Sequence, residues 1–300
     1  MLRLGYACIN ETLRGRGITT NRGCIKRTWK SKGLPHVSRL ALQNVQDLQE
    51  IIEWNRNANI NVFRISSCLF PWMTDYEFED LPDFDLIYKT LNETREIAQG
   101  CGQRLSFHPG QHNVLVSPRE HVVRNSIRDL TQHARVFDLM GYSADHNTKI
   151  NIHMGGAYGD HQGAIKRFCK VYSTLPDSIR KRLTVENDDK AGMFSTLMLY
   201  KGVFEKVGCP IVFDSHHFEL GPQDSSYEDA LTMATHTWGE ITPTCHHSNS
   251  KKDFEDDKVS RVSHSSWYYK PFEDLGMNLD VVLECKQKEK ALFKYLEDFQ

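Results

Sequence analysis

Seven ionisable side chains recur at one kind of place in this sequence, the C-terminal end of a short apolar or β-branched run. His108 ends "QRLSFH", His153 sits near the end of "KINIHMGG", and Glu186 closes the apolar part of "RLTVEND". Asp214 and His217 end "PIVFDSHH", His246 falls in "ITPTCHHS" and Glu284 in "LDVVLECK"; His264, in "RVSHSS", follows the seventh run. One histidine at a strand end is usually a hydrogen-bonded packing residue. Six strands delivering imidazoles and carboxylates to one rim are different, because each such group left buried and unpaired costs roughly a few kcal/mol. Divalent ions satisfy them together, and imidazole plus carboxylate without thiolate suits Zn, Mn or Fe. Seven or eight ligands exceed one tetrahedral site, which implies two or three ions. Glu186 can bridge a pair about 3.5 to 4 Å apart, the spacing that stabilises attacking and leaving oxygens in a phosphoryl displacement. The chemistry is metal-assisted hydrolysis, with sugar isomerisation on paired ions left open.

Such convergence needs strands that all point one way. Eight runs, from "LRLGYA" (Leu2) and "INVFRISS" (Ile60) to "LDVVLECK" (Leu279), alternate with stretches of helical period. The helical windows are 45–59, 83–99, 127–141 with Gly141 as a stop, 164–173, 194–207, 226–234 and 287–299. Eight βα units in 300 residues are the size of a (β/α)8 TIM barrel, with a doubly wound open sheet as the alternative. No Pro/Gly-rich linker divides the chain, so a single domain spanning residues 1–300 is expected.

The composition, 39% hydrophobic and 25% charged, is that of a globular protein. No signal-peptide pattern and no apolar run of roughly 18 to 20 residues is present, so an intracellular protein with no membrane partner is expected. Eight scattered cysteines without a CxxC argue for reduced, mostly buried thiols rather than disulfides or a zinc ribbon. The net charge of -2 gives no overall signal for nucleic acid. Locally, however, no acidic residue lies between Thr12 and Gln46, while Arg14, Arg16, Arg22, Lys26, Arg27, Lys30, Lys32 and Arg39 do. In the loop after the first strand, such a window reads as a phosphate-contacting arm. "FPWM" from Phe70 offers aromatics that either pack on DNA or anchor a loop.

The motifs "RLGYACINETL", "TTNR", "LSFHPGQH", "IHMGGAYGD", "VENDD", "VFDSHH" and "LECKQKEKAL" occur in the order found in the UV damage endonucleases. The sequence resembles that family over nearly its whole length. The resemblance implies a TIM barrel related to endonuclease IV and to xylose isomerase-like barrels. It also implies metal ligands at His108, His153, Glu186, Asp214, His217, His246, His264 and Glu284, holding up to three Mn²⁺, with Zn²⁺ or another divalent ion as the alternative. The implied partner is damaged double-stranded DNA, and the protein is expected to act as a monomer. The implied reaction nicks duplex DNA on the 5′ side of cyclobutane dimers and 6-4 products, leaving a 3′ hydroxyl and a 5′ phosphate.

By the same resemblance, Gln111 and His112 fill the gap left by flipped nucleotides, and Tyr6 and Asn10 face DNA from the first strand. Two positions depart from the family pattern. His112 stands where Tyr or Phe is usual, and Thr244 stands where a lysine commonly precedes the histidine at 246 by two residues. An abasic-site endonuclease, a sugar isomerase and a damaged-DNA sensor without metals are the competing readings.

Overall fold

The structure, a computed structural model, describes residues 2–300. Eight strands pair side by side in sequence order and close into a barrel. They are β1 (Leu2–Cys8), β2 (Val62–Ile65), β3 (Arg104–Phe107), β4 (Ile150–His153), β5 (Leu183–Glu186), β6 (Ile211–Asp214), β7 (Thr244–His247) and β8 (Leu279–Leu283). All neighbours are parallel, and β8 returns to β1 from Leu2↔Leu279 to Tyr6↔Leu283. This is the TIM barrel, not the open sheet. Strands walled by the sheet and by a ring of helices are buried on both faces, and β3, β5, β6 and β7 are buried throughout.

The helices fall on the periodic windows with shifted ends. They include Phe84–Gly100, Glu120–Met140, His161–Tyr172, Tyr227–His236 and Lys288–Phe299. Gly141 ends its helix at φ 83, its N–H returning to the carbonyls of Phe137 and Asp138. The window 194–207 is helical from Thr196 and carries a π turn over Tyr200–Phe204. The basic window departs from expectation: from residue 26 onward it is helix, Lys26–Asn57, not loop. Gly33 (φ 62, ψ -161) and Pro35 break the helix in its first third, which hides its period in the sequence. Lys26, Arg27, Lys30, Lys32 and Arg39 are exposed on it, whereas Arg22 is tied to Asp47 at 2.6 Å.

"FPWM" is a loop anchor. Phe70 is buried against Phe78 at 4.6 Å, and Trp72 Nε1 donates to the Cys24 carbonyl at 2.9 Å. All eight cysteines are free, but only Cys209, Cys245 and Cys285 are buried and Cys68 is exposed, fewer than expected. Among the described residues no helix is long and apolar enough to cross a membrane.

The end of the barrel away from the histidines is closed by charge. Asp280 accepts from Arg3 at 2.6 and 2.7 Å and from Arg104 at 2.9 Å, and Arg104 also donates to the carbonyls of His146, Asn147 and Thr242. Closure also needs Gly5, which pairs with Val62; a Cβ there would stand 1.9 Å from the Val62 carbonyl oxygen. Gly5→Ala is therefore expected to destabilise the fold by on the order of 3 kcal/mol or more, measured by urea unfolding. An unchanged midpoint would mean that β1 and β2 can separate freely.

Candidate metal centre

At the C-terminal ends of the strands the ionisable groups converge. Three sets place one ligand atom each within 4.8 Å of the others: His108, Glu186 and His246; His153, Glu186 and His217; Asp214, His246 and Glu284. Glu186 belongs to two of them, and so does His246. His108 Nε2 lies 3.0 Å from Glu186 Oε2, and His246 Nδ1 lies 3.1 Å from Oε1 and 3.3 Å from Glu284 Oε1. His264 stands at the edge, its Nδ1 3.8 Å from Glu284 Oε2. It arrives on the loop after β7, pinned by an antiparallel bridge between Ser250 and His264.

Local structure explains how one short segment offers so many groups. Asp214 ends β6 and caps the helix Ser215–Leu220, its Oδ1 accepting from the His217 N–H at 2.8 Å. The Asn187 side chain extends the pairing of β5 and β6 by donating to the Asp214 carbonyl and accepting from its N–H, both at 2.9 Å. His217 thus sits on the first helical turn rather than on the strand, with Nδ1 3.0 Å from the Asn187 carbonyl.

The electrostatics favour an ionised centre. Burial opposes ionisation of Glu186, which is 1% exposed, but His246, His153 and His108 overcome it and hold the carboxyl well below the usual range. Burial likewise opposes Glu284, and Arg64, His246 and His264 outweigh it. Burial pushes His108 down to about 4. For His153 burial is outweighed by Glu186 and Asp188, which raise it to about 9.

The donor set fits divalent cations. Asp214 Oδ2, His264 Nδ1 and both ring nitrogens of His216 are buried without a hydrogen-bond partner among the described residues. Buried polar atoms are rarely left so, and neutral imidazole with carboxylate is a ligand set for such ions.

Several neighbours carry no strand-end signal. Arg64, inside β2, pairs with Glu284, and Asn151, inside β4, donates to Glu186 while accepting from Thr184 at 2.8 Å. Lys149, fully buried, brings its Nζ to 3.5 Å from His246 Nε2. Thr244, two residues before His246, has a buried hydroxyl without a partner among the described residues, and the amine beside His246 is that of Lys149 from just before β4. Burial lowers Lys149 to about 7. The signal for all three is a polar residue at the edge of or inside an apolar run, decipherable only once strand register is known.

Gln111 lines a cavity of about 170 Å³ with His153, Asp188, Lys190 and His217, and His112 beside it is 72% exposed. A larger cavity of about 530 Å³ lies at the other end of the barrel beside Arg3 and Asn147, without any of these ligands. Tyr6 and Asn10, expected to face DNA, are both fully buried. The Tyr6 hydroxyl donates to Asn55 at 2.7 Å and accepts from Asn10 at 2.8 Å, while Asn10 Oδ1 caps the helix Glu11–Arg14.

Fold and site together define a TIM barrel whose catalytic face carries a cluster of imidazoles and carboxylates able to hold metal ions. The epimerase barrels share that fold; a D-psicose 3-epimerase from Clostridium cellulolyticum H10 aligns with TM-score 0.54 over 80% of this chain and 79% of its own at 14% identity. The family is narrower: the model for UV-endonuclease UvdE matches residues 2–300, and the chain belongs to that family. It is 32% identical to a UV-damage endonuclease of Schizosaccharomyces pombe over 99% of its own length and 51% of the relative's, so it spans about half of that protein. Identity to a putative UV-damage endonuclease of Acanthamoeba polyphaga mimivirus is also 32%, over 98% and 90%. The crystal structure of SacUVDE aligns with TM-score 0.87 and 30% identity, covering 99% of this chain and 97% of that one.

A ligand set assembled before the ion arrives stabilises the folded state on binding. With Mn²⁺ at 100 times its dissociation constant, unfolding should cost about 2.7 kcal/mol more, and Glu186→Ala should lose most of that gain. A melting temperature unmoved by Mn²⁺, Zn²⁺ and Fe²⁺ alike would contradict the site.

Proposed function

We propose that this chain cuts duplex DNA immediately 5′ of UV photoproducts, leaving a 3′ hydroxyl and a 5′ phosphate, at a centre of two or three Mn²⁺. The observation that carries the reading is the position of Glu186, shared by two ligand sets at the barrel mouth of a chain in the UV-endonuclease family. When bound, divalent ions supply Lewis acidity, bringing the ionisation of water into the neutral range and offsetting charge on the phosphate.

The chain's own residues do the rest. Ionised Glu186, held by Asn151 and the histidines around it, would be the carboxylate common to the ions. His108, His153, Asp214, His217, His246, His264 and Glu284 are the proposed remaining ligands. Arg64 fixes Glu284 and adds a permanent positive charge near the phosphate. Gln111 and His112, beside the cavity over His153 and His217, face the lesion; the exposed imidazole of His112 is flat enough to stack on an unpaired base. The exposed cations of helix Lys26–Asn57 supply non-specific attraction for the duplex backbone.

Incubation with Mn²⁺ and a duplex carrying one thymine dimer tests this reading, with an abasic-site duplex alongside to separate lesion classes. The dimer strand should be nicked on its 5′ side. Glu186→Gln should lower the nicking rate by roughly 10³-fold or more while duplex binding persists. An intact dimer strand with metal bound would overturn the function, and near-normal nicking by the variant would remove Glu186 from the centre of it.

A further inference from the structure

Beyond β8 the chain turns at 284–287 and starts the helix Lys288–Phe299 with a lysine in the left-handed region, φ 52. A non-glycine residue there is strained, and such strain persists only where the surroundings impose it. Here both sides impose it. The Lys286 and Gln287 N–H groups donate to the carbonyls of Ser265 and Ser266 at 3.0 and 3.2 Å. On the other side, the fully buried Glu289 carboxylate accepts from the N–H groups of Glu11 and Thr12, at 2.8 and 2.7 Å, and from the Thr12 hydroxyl at 2.8 Å. The backbone of Lys288 is thus clamped between the loop after β7 and the helix after β1.

The side chain so positioned is half-buried, yet its ammonium forms no hydrogen bond or ion pair among the described residues. Because β8 pairs with β1 and β1 with β2, Lys288, four residues past Glu284, starts its helix on the sector of the rim that also carries Cys8, Arg64 and Lys286. Glu284 is already engaged by Arg64 and faces His246 and His264. This sector of the rim, at the ends of β1, β2 and β8, therefore carries three cations against one carboxylate that is taken. A half-buried ammonium without a partner, beside two further cations, is free to make charge-assisted hydrogen bonds to an anion.

We propose that Lys288, supported by Lys286, is a seat for a backbone phosphodiester of the bound DNA, next to the phosphate that is cut and outside the metal cluster. The seat rests on the reading of the chain as a nuclease. Lys288 contacts no base and so adds affinity and register, not sequence or lesion preference. The clamped backbone fixes where the Lys288 side chain leaves the chain before DNA arrives.

The test measures kcat and KM for nicking a dimer-bearing duplex in Mn²⁺ between about 50 and 200 mM KCl, for the wild type, Lys288→Gln, Lys288→Arg and Lys288→Gly. Binding of the same duplex by fluorescence anisotropy and thermal unfolding of each variant run in parallel. Lys288→Gln should raise KM and Kd by about fivefold to tenfold and flatten the slope of log Kd against log salt by about 0.9. It should leave kcat within about twofold, because the seat lies outside the reacting atoms. Lys288→Arg should keep the wild-type salt slope. Lys288→Gly should share the binding defect while melting at or above the wild type, since glycine relieves the left-handed strain. Unchanged Kd and salt slope in the Gln and Gly variants would overturn the seat, as would a fall in kcat alone. A wild type that leaves the duplex intact would overturn the nuclease reading instead, and the anisotropy series would then decide the seat.

Discussion

The structure depends on one buried carboxylate. Glu186 ends β5 with 1% of its surface exposed, a place where an ionised group is stable only if other charges and donors surround it. His108, His246 and His217 approach it from β3, β7 and the turn after β6, and Asn151 approaches from β4. No single βα unit can supply that shell. A closed parallel barrel can, because every strand end points to the same rim.

The two ends of the barrel solve the same problem differently. At the far end Asp280 is neutralised by Arg3 and Arg104, and Arg104 donates to three carbonyls besides, which makes a plug. At the catalytic end the groups are left incompletely paired. Asp214 Oδ2, His216 and His264 Nδ1 have no hydrogen-bond partner among the described residues, and Cys8 and Lys288 hold left-handed backbone at the end of β1 and past the end of β8. Orphaned groups and left-handed residues also occur elsewhere, as at His146 and Trp72, but around Glu186 and Glu284 they gather at one rim.

Most of the fold was legible from the alternation of apolar runs with helical windows, since parallel strands buried on both sides read as continuous runs. The rim groups were legible because each breaks its run at the end. Groups inside runs were not. Arg64 and Asn151 reach the centre only through the register that turns them inward, and Lys149 only because the barrel is narrow enough for it to meet His246. For Tyr6 and Asn10 the sequence leaves two roles open, because a buried tyrosine bonded to Asn55 and a helix-capping asparagine have the same spelling as a rim pair. The helix from Lys26 escaped notice because Gly33 and Pro35 interrupt its period.

The central claim is that Glu186 is shared between metal ions. Crystals grown with Mn²⁺ and measured at the manganese absorption edge test it most directly. The account predicts anomalous peaks on both sides of the Glu186 carboxylate, one shared with His108 and His246 and one with His153 and His217. A map with no peak in contact with Glu186, its carboxylate still paired only with histidines, would contradict it.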